Sequence, residues 1–214
     1  MTLEEFLTEI KFGQLKGKKM AKIYVIMGKS SSGKDTVYSH LKDSVSPSFN
    51  TVVMYTTRPM REGEIDGREY YFTNDETVEK LEAEGKIIEL RAYNTVHGEW
   101  KYFTVDDGQI DVNSDKNYLI IATLEAYKKY LSYYGKDVVI PIYIEVEDRI
   151  RIHRALARED KQENPKYAEM CRRFLADEAD FSEDKIKELD IVIRYNNEDL
   201  QECISTILAD VNKC

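Results

Sequence analysis

Cysteine is scarce in this 214-residue chain. Cys171, Cys203 and Cys214 are its three cysteines, far apart and without metal-ligand spacing. That leaves no disulfide framework and no thiolate zinc site, and it reads as reduced cytosolic thiols. Long apolar runs are also missing. None approaches the roughly 18 residues that would cross a bilayer. The first stretch, MTLEEFLTEIKFGQLKGKKM, is charged throughout and lacks the apolar segment of a secretory signal. A cytoplasmic protein with no membrane partner is the expectation. An excess of positive charge is absent too: 31 Lys and Arg face 40 Asp and Glu, a formal net charge of −9. Such a chain does not hold a nucleic-acid backbone through a general field. A phosphorylated ligand would have to be bound locally, by clustered arginines and backbone amides. Repeats, low-complexity tracts and dividing linkers are missing as well.

What is present is a sizeable apolar complement, 42% of residues, enough for one α/β domain with small excursions. Leu3, Phe6, Leu7 and Ile10 at helical spacing predict a short docking helix within residues 1–20. AKIYVIMG (21–28), TVVMYTT (51–57), IIELRAY (87–93), WKYFTV (100–105), NYLIIAT (117–123), VVIPIYIEV (138–146) and DIVIRY (190–195) predict strands. The turn between the third and fourth falls at His97 and Gly98. Helices are expected from Thr36 to Leu41, from a capping box at Thr73 and Glu76 to about Glu84, over 124–135, through 147–182 with a break near Asn164–Pro165, and over 198–212. Strands alternating with helices argue for a parallel sheet covered on both faces.

GKSSSGKDT (28–36) fits G-x-x-x-x-G-K between a predicted strand and a predicted helix. In that context Gly28, Ser30, Ser31, Ser32 and Gly33 turn their amides onto phosphate oxygens, and Lys34 reaches the outer phosphates. Asp35 stands where this loop usually carries the hydroxyl that binds magnesium. A carboxylate is also an oxygen ligand, so Asp35 either touches the metal or serves as a first-turn helix acid. Thr36 offers a hydroxyl facing another direction. The expectation is a working loop for ATP and Mg2+ with altered metal contacts.

YTTRPMREGEIDGREYYF (55–72) brings Arg58 and Arg61 close together with Tyr70 beyond them. Two guanidinium forks and a phenol suit a monophosphate, although arginines alone would also fit a solvated loop. The whole string resembles the GMP-binding segment of guanylate kinases, T-T-R-x-P-R-x-G-E-x-x-G-x-x-Y-x-F, with one residue shifted around Pro59. The resemblance runs from about 21 to 212. It implies a P-loop NTPase-type parallel sheet flanked by helices, an inserted mixed-sheet GMP-binding subdomain and a helical lid. The corresponding boundaries are a core at 21–55, 106–147 and 183–212, the monophosphate-binding part at 56–105 and the lid at 148–182.

Carried across by motif, Arg58, Arg61 and Tyr70 match the family's phosphate ligands, and Glu64 matches a motif acid of open role. Glu89 in IIEL matches the guanine-reading glutamate. A carboxylate is independently a suitable acceptor for guanine N1–H and the 2-amino group. VHGEWKYFT resembles G-N-Y-Y-G-[ST] with one insertion. It puts Tyr102 and Thr104 at phosphate or base contacts, with strand packing as the other reading of Tyr102. RIHRALARED supplies Arg154 and Arg158 and MCRRFL supplies Arg173, in preference to Arg172, as lid clamps. NNEDL resembles the N-D-x-L turn near adenine through Asn197. Two departures stand out. Ala122 and Thr123 replace an acidic strand end, and Met54 or Tyr55 replaces a serine near the base. The resemblance implies phosphoryl transfer from ATP to GMP or dGMP. Rival readings are a kinase of another small phosphorylated acceptor such as ribose 1,5-bisphosphate, and a non-catalytic binding module.

Overall fold

The computed structural model describes residues 20–44, 47–95 and 98–213; the expected helix within 1–20, His97 and Cys214 lie outside them. Two sheets carry the fold. The larger has the order β2-β7-β1-β8-β9, built from β1 (Lys22–Met27), β2 (Phe49–Thr51), β7 (Asn117–Ile121), β8 (Val139–Glu145) and β9 (Arg194–Asn196). Every pairing in it is parallel. Side-chain alternation sorts β1 between two cores. Ile23, Val25 and Met27 face one, with Tyr127 and Tyr130 of helix α3 (Leu124–Tyr134). Tyr24 and Ile26 face the other. There they meet Val37 and Leu41 of α1 (Lys34–Lys42) and Ile204, Ile207 and Val211 of α7 (Leu200–Val211). This is the two-faced burial that the apolar strand runs predicted.

The smaller sheet is mixed, with the order β4-β3-β6-β5. It comprises β3 (Tyr55–Thr56), β4 (Tyr71–Phe72), β5 (Ile87–Thr95) and β6 (Gly98–Val105). Val78 of α2 (Asp75–Ala83) packs on Phe103 and Val105 beneath it. Helices α4 (Asp148–Glu159) and α5 (Tyr167–Asp180) follow β8, and a short α6 (Glu183–Glu188) precedes β9.

Four expectations shift. The single strand at 51–57 is two, one in each sheet. The Gln109 side chain takes both backbone groups of Val53 at 2.8 and 3.1 Å, ending the pairing between them. The N-cap of α2 is Asn74, not Thr73: its side chain accepts from Thr77 N–H. Helix α1 begins at Lys34, directly after the loop. The strand at 190–195 is confined to its end, because Val192 and Ile193 are exposed and only Arg194–Asn196 reach β8.

Candidate active site

The phosphate loop leaves the C-terminal end of the central strand β1 and runs straight into α1. Gly28 is required by space: a Cβ there would stand 2.5 Å from the Ile144 carbonyl oxygen. Gly33 is required twice over, by φ +87° and by a Cβ position 2.3 Å from Asn197 Nδ2. Asn197 is buried and donates to the Ser32 carbonyl at 2.8 Å, so here it braces the loop. Buried side-chain atoms without partners are few among the described residues. Three of the four, Ser31 Oγ, Ser32 Oγ and Asn197 Oδ1, gather at this loop. Unpaired buried polar atoms concentrated in one place mark a site shaped for a polar ligand. Lys34 Nζ lies 3.3 Å from the Asp35 carboxylate, which is 78% exposed. Thr36 is exposed on the first turn of α1.

The helices after β8 close over this loop. Arg154 donates to the Asn197 carbonyl at 2.8 Å and reaches the Ser32 carbonyl at 3.4 Å. Arg173 reaches Ser30 Oγ at 3.4 Å. Arg158, exposed, lines a small cleft with Ser30, Ser31 and Arg173. Arg172 is occupied on the outer face by Glu169. Sequence reasoning missed the hub of this assembly, Arg151, the largest of the fully buried side chains. Its guanidinium donates to the Ser30 carbonyl and to Asp177, both at 3.0 Å, and pairs with Asp148 and Glu178. Asp177 in turn accepts from Ser30 N–H at 2.8 Å. The signal was available: Arg151, Arg154 and Arg158 recur at helical spacing and share the face toward the loop.

On the smaller sheet, Arg58 is 4% exposed and held in a two-pronged pair by Glu64 at 2.5 and 2.7 Å. Glu64 also accepts from Arg61 N–H at 2.7 Å. These bonds, that of Arg58 first, lower the Glu64 carboxyl to about 2. The motif acid therefore orients the arginine. The Arg58 guanidinium rests over the Tyr70 and Phe72 rings, and Tyr70 meets Tyr102 edge-on at 5.7 Å. Arg61 is exposed. Opposite partners in the β5–β6 ladder, Glu89 with Thr104 and Arg91 with Tyr102, share one face. Glu89, only 2% exposed, accepts from Thr104 Oγ1 at 3.0 Å, and the Tyr130 hydroxyl lies 2.6 Å from Thr104. Thr104 spends its one proton on Glu89, so Tyr130 donates to Thr104. Burial, then the Glu89 charge, raise the Tyr130 phenol and keep that proton in place. Arg91, also missed, forks onto Glu89 through Nε at 2.9 Å and Nη2 at 3.2 Å and touches Met54 Sδ at 3.6 Å. Thr123 caps α3 through Ala126 N–H, which gives a structural use for the hydroxyl standing at the strand end.

The guanylate kinase family profile matches residues 20–211. The chain belongs to the guanylate kinase family. Over 75 residues it is 39% identical to guanylate kinase of Lactiplantibacillus plantarum, covering 35% of this chain and 36% of that one. Over 80 residues it is 38% identical to guanylate kinase of Tropheryma whipplei, covering 37% and 39%. The chain thus matches little more than a third of the length of these curated guanylate kinases. The crystal structure of guanylate kinase from Anaplasma phagocytophilum superimposes with a TM-score of 0.58 at 23% identity. It covers 92% of this chain and 87% of that one, and so shares the guanylate kinase fold.

Proposed function

We propose that this protein transfers the γ-phosphate of ATP to GMP or dGMP. The observation that carries the reading is the pairing, in one chain of this family, of an intact phosphate loop with an oriented arginine–tyrosine site. The loop has orphaned buried polar atoms and closing arginines. The second site has Arg58 locked by Glu64 above Tyr70. Lys34 and the loop amides would hold the donor phosphates. Arg154, Arg158 and Arg173 would meet the transferring group as the helices over 148–182 close. Arg58, Arg61 and Tyr70 would position the acceptor phosphate in line, with Tyr102 and the Glu89–Thr104 face beside the base. The residues fit magnesium. Mg2+ draws most of its ligands from water and phosphate oxygens, so one exposed carboxylate at the loop suffices, and Asp35 would hold the ion directly or through water. When bound it would neutralise charge on the phosphates. Residues 21–55, 106–147 and 183–212 would then serve as a core, 56–105 as the acceptor part and 148–182 as the lid. A coupled ADP assay across nucleoside monophosphates and ribose phosphates tests this. GMP-dependent ADP release is expected, and ADP release confined to a ribose phosphate would replace the reading.

A further inference from the structure

Glu89 does not stand free to read a guanine. A carboxylate offers about four acceptor positions. Three are taken, two by the Arg91 fork and one by Thr104. The bidentate edge that would accept guanine N1–H together with its 2-amino group is the edge that Arg91 occupies. Arg91 itself retains donors. Among the described residues its Nη1 group has no hydrogen-bond partner, and its side chain keeps 12% exposure. It sits opposite Tyr102 on the same ladder face, and Tyr102 meets Tyr70 edge-on, so these donors lie beside the acceptor site.

Resting on the reading of this chain as a nucleoside monophosphate kinase, we propose that Arg91 is a specificity-determining residue and makes the acceptor class 6-oxopurine monophosphates, inosine monophosphate included. The free Nη1 group donates to the O6 acceptor of a 6-oxopurine, one of the two acceptors by which arginine commonly reads guanine. One remaining position on Glu89 takes N1–H. Hypoxanthine presents O6, N7 and N1–H as guanine does, and the 2-amino group is left without its charged acceptor. Adenine sets an amino group against the guanidinium and offers no N1–H, so two polar groups would go unpaired.

The test is kcat/KM with saturating MgATP for GMP, IMP, AMP and ribose 1,5-bisphosphate, in the wild type and in Arg91→Gln and Arg91→Ala. In the wild type, IMP should lie within about tenfold of GMP, and AMP at least about a thousandfold below both. Removing the fork frees Glu89 for the 2-amino group, so the GMP-to-IMP ratio should rise by about tenfold or more, the range of one charged hydrogen bond. A role in sheet stability alone would lower both substrates together and leave the ratio fixed. Wild-type turnover of GMP with IMP more than about a hundredfold weaker overturns the proposal while leaving the kinase reading intact. So does an unchanged ratio in a folded variant. Should neither variant fold, the wild-type ratio decides alone. Turnover of neither GMP nor IMP overturns the kinase reading, and this proposal with it.

Discussion

Glu64 shows how much of this site is set by single side chains. Its bonds from Arg58 and from Arg61 N–H lower its carboxyl to about 2, from an ordinary 4.5. A depressed carboxyl contributes stability that is fully present above its unfolded value and is lost as pH falls through the folded one. The melting-temperature gap between wild type and Glu64→Gln should therefore be constant between about pH 6 and 8, shrink below about 4.5 and close near about 2. A gap independent of pH would mean that the charge on Glu64 does not contribute to stability. The same variant leaves Arg58 unlocked, so KM for GMP should rise more than kcat falls. Asp35 poses a second residue-scale question. If it holds magnesium, Asp35→Asn shifts the magnesium concentration for half-maximal turnover. Metal titration of the two proteins checks this, and superimposable titrations would assign Asp35 to the helix terminus alone. The motif residues were legible in sequence because each needs only its own chemistry and spacing. Arg91 was not, because its meaning depends on Glu89 two residues away on the same strand face, and on Met54 from the connection between β2 and β3, far off in the chain.

On the proposed function the helices over 148–182 would combine two jobs, with their arginines divided between them. Arg151 is buried among Asp148, Asp177, Glu178 and the Ser30 carbonyl. Removing one partner of such a pair leaves charge unmatched, so Arg151→Met should cost roughly 3–5 kcal/mol in chemical denaturation. Arg158 and Arg173 lie at the exposed edge of the loop. Their alanine variants should keep near-wild-type stability and GMP affinity while kcat falls at least about tenfold, equivalent to about 1.4 kcal/mol. Unchanged kcat would make them solvated helix charges. Elements with strong periodicity, β1, β7, β8 and α3, were readable because a continuous apolar run or a clean helical face has one solution. The run 51–57 was misread because Gln109, from the connection between β6 and β7, takes both backbone groups of Val53. The run 190–195 was misread because Val192 and Ile193 are apolar yet exposed.

At the scale of the whole molecule, the two sheets form one machine only if the acceptor face is tied to the core. Ile88 enters the same core cluster as β1, and Tyr130 of α3 reaches Thr104 and through it Glu89. A net charge of −9 surrounds a pair of sites built from arginine, lysine and backbone amides. On the proposed function, phosphate binding would therefore be local, as the acidic composition leads one to expect. Among the described residues no helix is long and apolar enough to cross a membrane. On the proposed function these sites pass a phosphoryl group from ATP to GMP. The most direct measurement follows γ-labelled ATP with GMP and magnesium by chromatography, in the wild type and in Lys34→Ala. The label should appear in GDP, and Lys34→Ala should slow its appearance by at least about a hundredfold while keeping the wild-type circular dichroism spectrum. Wild-type protein that leaves all label in ATP, or releases it only as inorganic phosphate, would contradict that function.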